Sequence, residues 1–240
     1  MPLTGLGGFP LTRHSILIAT SSADPSERLT AMEAIAAAYW RPVYKYSRLK
    51  WGLSCEEAED LVQDFFVRLI EKDFLRAFDP AKGRLRTFLR TCVDRLYLNQ
   101  VRDRSRQKRS AGLTLDLDEV EQEIARAGSP QSMEDYFDKE CVRNLMGLAI
   151  ERFRIECISS GRQQDFNLFV EYEIPDNVSS SPTYASLAAR HGLMVTDVTN
   201  YLARARRGFR RCVLDQLRDM TASEQEFRRE AKSLLGYDAT

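Results

Sequence analysis

Between residues 55 and 70, Ala58, Leu61, Val62, Phe65, Phe66, Leu69 and Ile70 recur at three- and four-residue intervals, which predicts one helix with a single buried stripe. Ser54 and Glu57 supply a capping box at its start, each side chain able to bond the other's backbone N–H. The same periodicity occurs upstream in Leu29, Met32, Ile35, Ala36, Tyr39, Trp40 and Val43, behind a start signal at Asp24, Pro25 and Glu27. Pro42 should kink this helix and Gly52 should close it. Leu85, Phe88, Leu89, Cys92, Val93, Leu96 and Val101 predict a third helix, reached through the turn-rich loop Phe78 to Gly83. These three helices are expected to pack as one all-helical domain.

From Ser105 to Met133 the pattern weakens, and Gly128, Ser129 and Pro130 mark a linker before a second helical domain near Met133. Within that domain Tyr184 to Arg211 fits a helix-turn-helix. Ser181 and Pro182 open its first helix, which carries Leu187 and Ala188. Gly192 makes the turn, followed by Leu193, and Val198 and Leu202 anchor the second helix. Thr196 is placed to cap that second helix, leaving Asp197, Thr199, Asn200, Ala203 and Arg204 to face a major groove. Arg206, Arg207, Arg210 and Arg211 suit backbone phosphates. The fold class expected is all-α, with two helical domains joined by an acidic linker.

Charge changes this picture through its distribution. The 240 residues hold 35 basic and 35 acidic side chains, so the net value is uninformative. The helix from Cys55 carries Glu56, Glu57, Glu59, Asp60, Gln63 and Asp64 on its polar face, with Arg68 and Lys72 in its last turns. That order suits the helix dipole, so an ordinary solvated face accounts for much of it. The following segment carries Lys82, Arg84, Arg86, Arg90, Arg95, Arg102, Arg104, Arg106, Lys108 and Arg109 against Asp94 and Asp103, a cationic ridge suited to phosphates. Phe78 and Tyr97 lie near it as rings on which bases could stack, whereas Phe88 falls on the core stripe. Acids collect between the basic stretches, at Asp116, Asp118, Glu119, Glu121, Glu123, Glu134, Asp135, Asp138 and Glu140.

Cys55, Cys92, Cys141, Cys157 and Cys212 lack metal-ligand spacing and read as reduced thiols, and His14 and His191 stand apart, so neither a metal nor a cofactor is expected. Arg13 before Ile16, Leu17 and Ile18 only faintly imitates a signal peptide, and no span is long enough for a membrane. A cytoplasmic setting is expected. Glu56, Glu57, Glu59, Asp60 and Asp64 could in principle hold magnesium for nuclease chemistry, but no histidine or lysine accompanies them, and an enzyme is not expected.

Across these blocks the chain resembles the sigma-70 family of bacterial RNA polymerase sigma factors, in its small two-domain, extracytoplasmic-function type. Glu56 to Phe66 looks like the core-binding helix of region 2, and Phe78-Asp79 through Arg86-Thr87-Phe88-Leu89-Arg90 to Arg102 looks like the promoter-melting segment. Tyr184 to Arg211 looks like region 4, and Phe9 to Arg13 and Glu224 to Leu235 are similar to one branch of the family. The resemblance implies an N-terminal extension at 1–23, region 2 at 24–110, a linker at 111–132, region 4 at 133–220 and a tail helix at 221–240.

It also implies roles. Glu57, Asp60, Gln63 and Asp64 would meet the clamp helices of the polymerase's largest subunit. The loop Phe78 to Gly83, with Lys82, would capture a flipped base of the minus-ten element, while Arg84, Arg86, Arg90 and Arg102 would hold the displaced strand. Thr196, Asp197, Thr199, Asn200, Arg204, Arg206 and Arg207 would read the upstream element, and region 4 would also touch the polymerase flap. The acidic stretch Asp116 to Glu123 could lie in the RNA exit path, and an anti-sigma factor or a regulatory kinase is open as a further partner.

Departures exist. Asp94-Arg95 and Asn99 stand where many relatives have an Arg-Asn pair and then an aspartate, and Phe88 replaces a common tryptophan. The function implied is promoter-specific initiation of transcription. The alternative is a helix-turn-helix regulator that never contacts polymerase, for which the acidic helix face would have no use.

Overall fold

The computed structural model describes residues 20, 24–71, 74–79, 81–110, 130–174, 182–221 and 223–236. The N-terminal extension apart from Thr20, the acidic stretch Asp116 to Glu123, the linker residues Gly128 and Ser129, and Ser181 lie outside them. All regular structure among the described residues is helical: α1 Pro25–Trp51, α2 Cys55–Glu71, a 3-10 turn Phe74–Ala77, α3 Leu85–Ser110, α4 Pro130–Ser159, α5 Gln163–Glu173, α6 Tyr184–His191, α7 Val195–Asp219 and α8 Glu224–Leu235.

The helix starts follow the sequence signals closely. Asp24 caps α1 by accepting from the Ser26 N–H, with Pro25 at the first helical position. At α2 the Ser54 N–H donates to Glu57 at 2.9 Å and the Glu57 N–H to the Ser54 hydroxyl at 3.2 Å. Gly52 ends α1 with φ 64°, the left-handed turn that frees the chain to reverse into α2. Pro42 sits inside α1 without interrupting it.

Two expectations at α1 and α2 need correction. Leu29 is 61% exposed, because it precedes the first turn that meets a neighbour, and Trp40 is half out, stacked on Phe66 at 5.5 Å. Ile70 is 54% exposed although its neighbour Leu69 is fully buried, since it lies about 100° round the helix from Leu69, on the side of Gln63 and Val67.

Helix α4 organises the molecule. Its buried apolar residues Met133, Phe137, Cys141, Leu145, Ala149, Phe153 and Cys157 fall at strict four-residue intervals. Four residues advance about 40° beyond a full turn, so the stripe winds about 240° around the helix over its length. One helix therefore faces two cores in succession. Its first half joins α1, α2, α3, the end of α7 (Val213, Leu217) and α8 (Phe227, Ala231) in the largest cluster. Its second half, through Phe153 and Cys157, meets Phe169 of α5 and Ala205 and Cys212 of α7. Leu168 of α5, Leu187 and Ala188 of α6, and Val198 and Leu202 of α7 form a third cluster. The largest cluster thus takes in residues from both sides of the 111–132 stretch.

Polar contacts fix the α1–α4 seam. Buried Glu140 bonds Lys45 at 2.7 Å and also pairs with Arg143, and the Asn144 amide donates to the Ala38 carbonyl at 2.8 Å. At the α7–α8 corner the Tyr39 hydroxyl donates to the Met220 carbonyl at 3.2 Å.

Candidate nucleic-acid interface

The acidic face of α2 divides into residues that hold the helix and residues that are offered to solvent. Glu57 is committed to the capping box, and the Ser54 N–H and hydroxyl hold its carboxyl below the ordinary value. Asp64 accepts from Arg68 at 2.7 Å and from the Gln100 amide of α3 at 2.8 Å. Glu56, Glu59, Asp60 and Gln63 are exposed. Continuing that line by three and four residues come Val67, 43% exposed, and Ile70. Sequence reasoning missed this apolar end: Val67 is out of register with the buried stripe but in register with Asp60 and Gln63, which was the available signal. The surface is a stripe that runs from acidic to apolar.

The beginning of the basic ridge, from Arg84 to Arg90, is occupied by acids of other helices. Arg86 is buried, 3% exposed, with Glu230 of α8 at 2.8 Å and Asp138 of α4 paired to it. Burial, the largest influence on that guanidinium, opposes its charge, yet Glu230 and Asp138 together carry its pKa above the ordinary value. Arg84 pairs with Glu230 at 3.1 Å and donates to the Ser233 hydroxyl at 3.2 Å. Arg90 pairs with Glu134 of α4 at 3.0 Å. Lys82 pairs with Asp79 at 3.3 Å and stays exposed, as do Arg95, Arg102 and Arg104.

The rings expected to stack on bases are not presented. Phe78 is buried against Phe88 at 5.3 Å, and Tyr97 is stacked on Trp51 at 4.0 Å, because both complete the first core. Asp94, one of the departures from the family pattern, pairs with Lys50 at 2.9 Å and accepts from the Tyr46 hydroxyl at 3.0 Å. Burial and Asp94 together push that phenol up.

In the segment from Tyr184 to Arg211, two helices, α6 and the first part of α7, are joined by a short turn at Gly192, and several expectations there need local correction. Thr183 caps α6 in a reciprocal box with Ser186, one residue beyond Pro182. Gly192 ends α6 at φ 64°. Thr196 does not cap α7: the helix begins at Val195, so Thr196 lies within its first turn, and the Met194 N–H donates to Asp197 at 3.2 Å instead. Asp197 therefore closes the helix start, where the dipole favours an acid.

Thr196, Thr199, Asn200 and Arg207 are exposed on the outer face of α7. The other expected readers are held. Arg204 forks onto both oxygens of buried Asp165 on α5, one contact at 2.6 Å. Arg206 pairs with Glu173 at 2.7 Å and lies over the Tyr172 ring, and Arg211 pairs with Glu156 of α4. Arg211 is the first influence that brings the Glu156 carboxyl below its ordinary value, against the opposing effect of burial. Among the described residues no group of His, Cys, Asp and Glu is arranged to hold a metal ion, and no helix is long and apolar enough to cross a membrane.

Residues 35–107, from the third turn of α1 through most of α3, match the family model described as Sigma-70 region 2. No curated protein and no solved structure matches the chain. The acidic stripe of α2 and the basic ridge from Lys82 to Arg106 both fall inside the matched segment.

Proposed function

We propose that the chain is a promoter-specificity subunit of the two-domain, extracytoplasmic-function type, which docks on core RNA polymerase, places its helix-turn-helix on upstream promoter DNA and opens the minus-ten element. It catalyses nothing itself and works in the cytoplasm. The observation that carries this reading is the exposed stripe of Glu56, Asp60, Gln63, Val67 and Ile70 on α2, within the Sigma-70 region 2 match. A repressor acting alone has no use for such a stripe, whereas a protein interface needs an apolar centre with a charged border. Lys82 in the turn before α3, Arg95 and Arg102 on α3, and Thr199, Asn200 and Arg207 on α7 are exposed polar groups from which the DNA contacts would be drawn.

The test is retention of purified core polymerase by the full chain and by an Asp60→Lys/Ile70→Asp variant. Both positions are exposed, so the variant folds, and its association should weaken at least about ten-fold. Asp64 is unsuited to this test because it ties α2 to α3. Equal retention of variant and parent, or no retention of the parent, overturns the proposal.

A further inference from the structure

Helix α8 is amphipathic in an unusual way. Phe227 and Ala231 are buried in the first core, with Arg218 of α7 laid over the Phe227 ring at 4.3 Å. Beside that apolar line runs a second one at the same helical spacing, Glu226, Glu230 and Ser233, and it meets the beginning of α3. The Glu226 carboxylate accepts the N–H of Leu85, the first residue of α3, at 2.5 Å. Glu230 holds Arg84 at 3.1 Å and Arg86 at 2.8 Å, and the Ser233 hydroxyl accepts from both arginines, at 3.2 and 3.4 Å. Asp138 and Glu134 of α4 extend the same arrangement along Arg86 and Arg90.

A free helix N–H flanked by two guanidinium groups is what a phosphate seeks, since the amide, the dipole and the forked donors all favour an anion. Here two carboxylates and a hydroxyl take those places. Glu226 and Glu230 are both nearly fully buried. Burial pushes the Glu230 carboxyl above its ordinary value, against the pull of Arg86 and Arg84. A core built for stability alone is as well served by apolar side chains at these positions, so the acids are not needed to hold α8 in place.

We infer that α8 is an autoinhibitory helix, whose glutamates occupy the phosphate contacts of Arg84, Leu85 and Arg86 and keep nucleic acid off the start of α3 until the helix lifts. The inference rests on the reading of α3 as a nucleic-acid surface. The closed and open states share the same α1–α3 bundle, and only the α8 contacts differ between them. A nucleic acid that binds the open state has its apparent affinity reduced by the closed fraction, so a closed state favoured about ten to one costs about ten-fold in binding.

The experiment uses the full chain, a fluorescein-labelled single-stranded DNA of mixed sequence and anisotropy at low salt. Glu226→Gln/Glu230→Gln should bind about ten-fold more tightly than the parent, by the same population argument. Asp135→Asn/Glu33→Gln removes equal charge from exposed positions off α8 and should stay within about two-fold. Circular dichroism establishes that each variant is folded. A measurement on the parent alone covers the case of a variant that does not fold: trypsin should cut at Arg228 and Arg229 faster once DNA is added. Affinities equal to the parent in a folded acid variant, an equal gain in the exposed-charge control, or unchanged cleavage with DNA overturns the inference. The same preparations are then assayed for transcription with core enzyme. Transcription by the parent with no affinity gain in the variant removes the clamp and leaves the proposed function standing. An affinity gain without any core association keeps the clamp and removes the polymerase reading.

Discussion

Replacing Arg204 with alanine separates the proposed base-reading role from that of holding α7 against α5. In the structure its guanidinium forks onto both oxygens of Asp165, whose carboxylate is 2% exposed, while the arginine itself is 45% exposed. Removing one partner of a fully buried pair costs about 3–5 kcal/mol, because the other charge is stranded. The half-exposed arginine lets water reach this carboxylate, and Asp165 lies in the first turn of α5, where the dipole favours it, so about 2–3 kcal/mol is expected. With a urea slope near 2 kcal/mol/M the midpoint should fall by about 1 M, read by circular dichroism. Adding Asp165→Asn removes the stranded charge and should recover part of the loss. Asn200→Ala, exposed on the same helix, should leave the midpoint unchanged within about 0.5 kcal/mol and alter preference at particular upstream bases. An unchanged midpoint for Arg204→Ala, together with a changed base preference, would refute the reasoning.

Two further outcomes follow from packing and from titration. A Cβ at Gly208 of α7 would come 2.8 Å from Cε2 of Phe153, whose ring is enclosed by Phe166, Phe169 and Phe209. Overpacking of about 1–3 kcal/mol therefore outweighs the roughly 1 kcal/mol that alanine gains over glycine in a helix, and Gly208→Ala should lower the thermal midpoint by a few degrees; a higher midpoint contradicts the packing argument. Glu140 has its carboxyl held below the ordinary 4.5, since Lys45 and Arg143 outweigh the opposing effect of burial. Its contribution to the α1–α4 seam is present above that ordinary value and is lost as pH falls through the depressed folded one. Glu140→Gln should flatten the acid limb of stability against pH, and a limb identical to the parent's removes Glu140 as its source.

What could be read from the sequence was local. Capping at Asp24 and Ser54, the left-handed glycines at 52 and 192, and the buried stripe of α2 each depend on residues within about one or two turns of one another, so spacing alone carries them. The apolar end of α2 escaped because periodicity reports which side chains share a face but not where the covering neighbour stops, and Ile70 lies beyond that edge. The four-residue stripe of α4 was visible as letters, yet its winding matters only once two cores lie on different sides of the helix. Least legible was the fate of the bases. Arg86 meets Asp138 and Glu230, and Arg204 meets Asp165, partners that a charge tally places in other segments. A sequence shows that a base exists, and only the fold shows whether an acid has already answered it.

The same distinction gives the surfaces an order. The stripe of Glu56, Asp60 and Gln63 lies open in the very structure in which Arg84, Arg86 and Arg90 are held by acids of α4 and α8. Under the proposed function and the inferred clamp, polymerase can therefore dock first on a face that needs no rearrangement, whereas DNA meets a face that must first be cleared. Gln100 and Asp64 join the two helices at 2.8 Å, so docking on α2 bears directly on the helix whose beginning α8 covers. A ligand shifts such an equilibrium only by as much as its affinity for the open and closed states differs. Core polymerase would release α8 only if it binds the open state better, and template phosphates, which compete directly with Glu226 and Glu230, satisfy that condition without any further device.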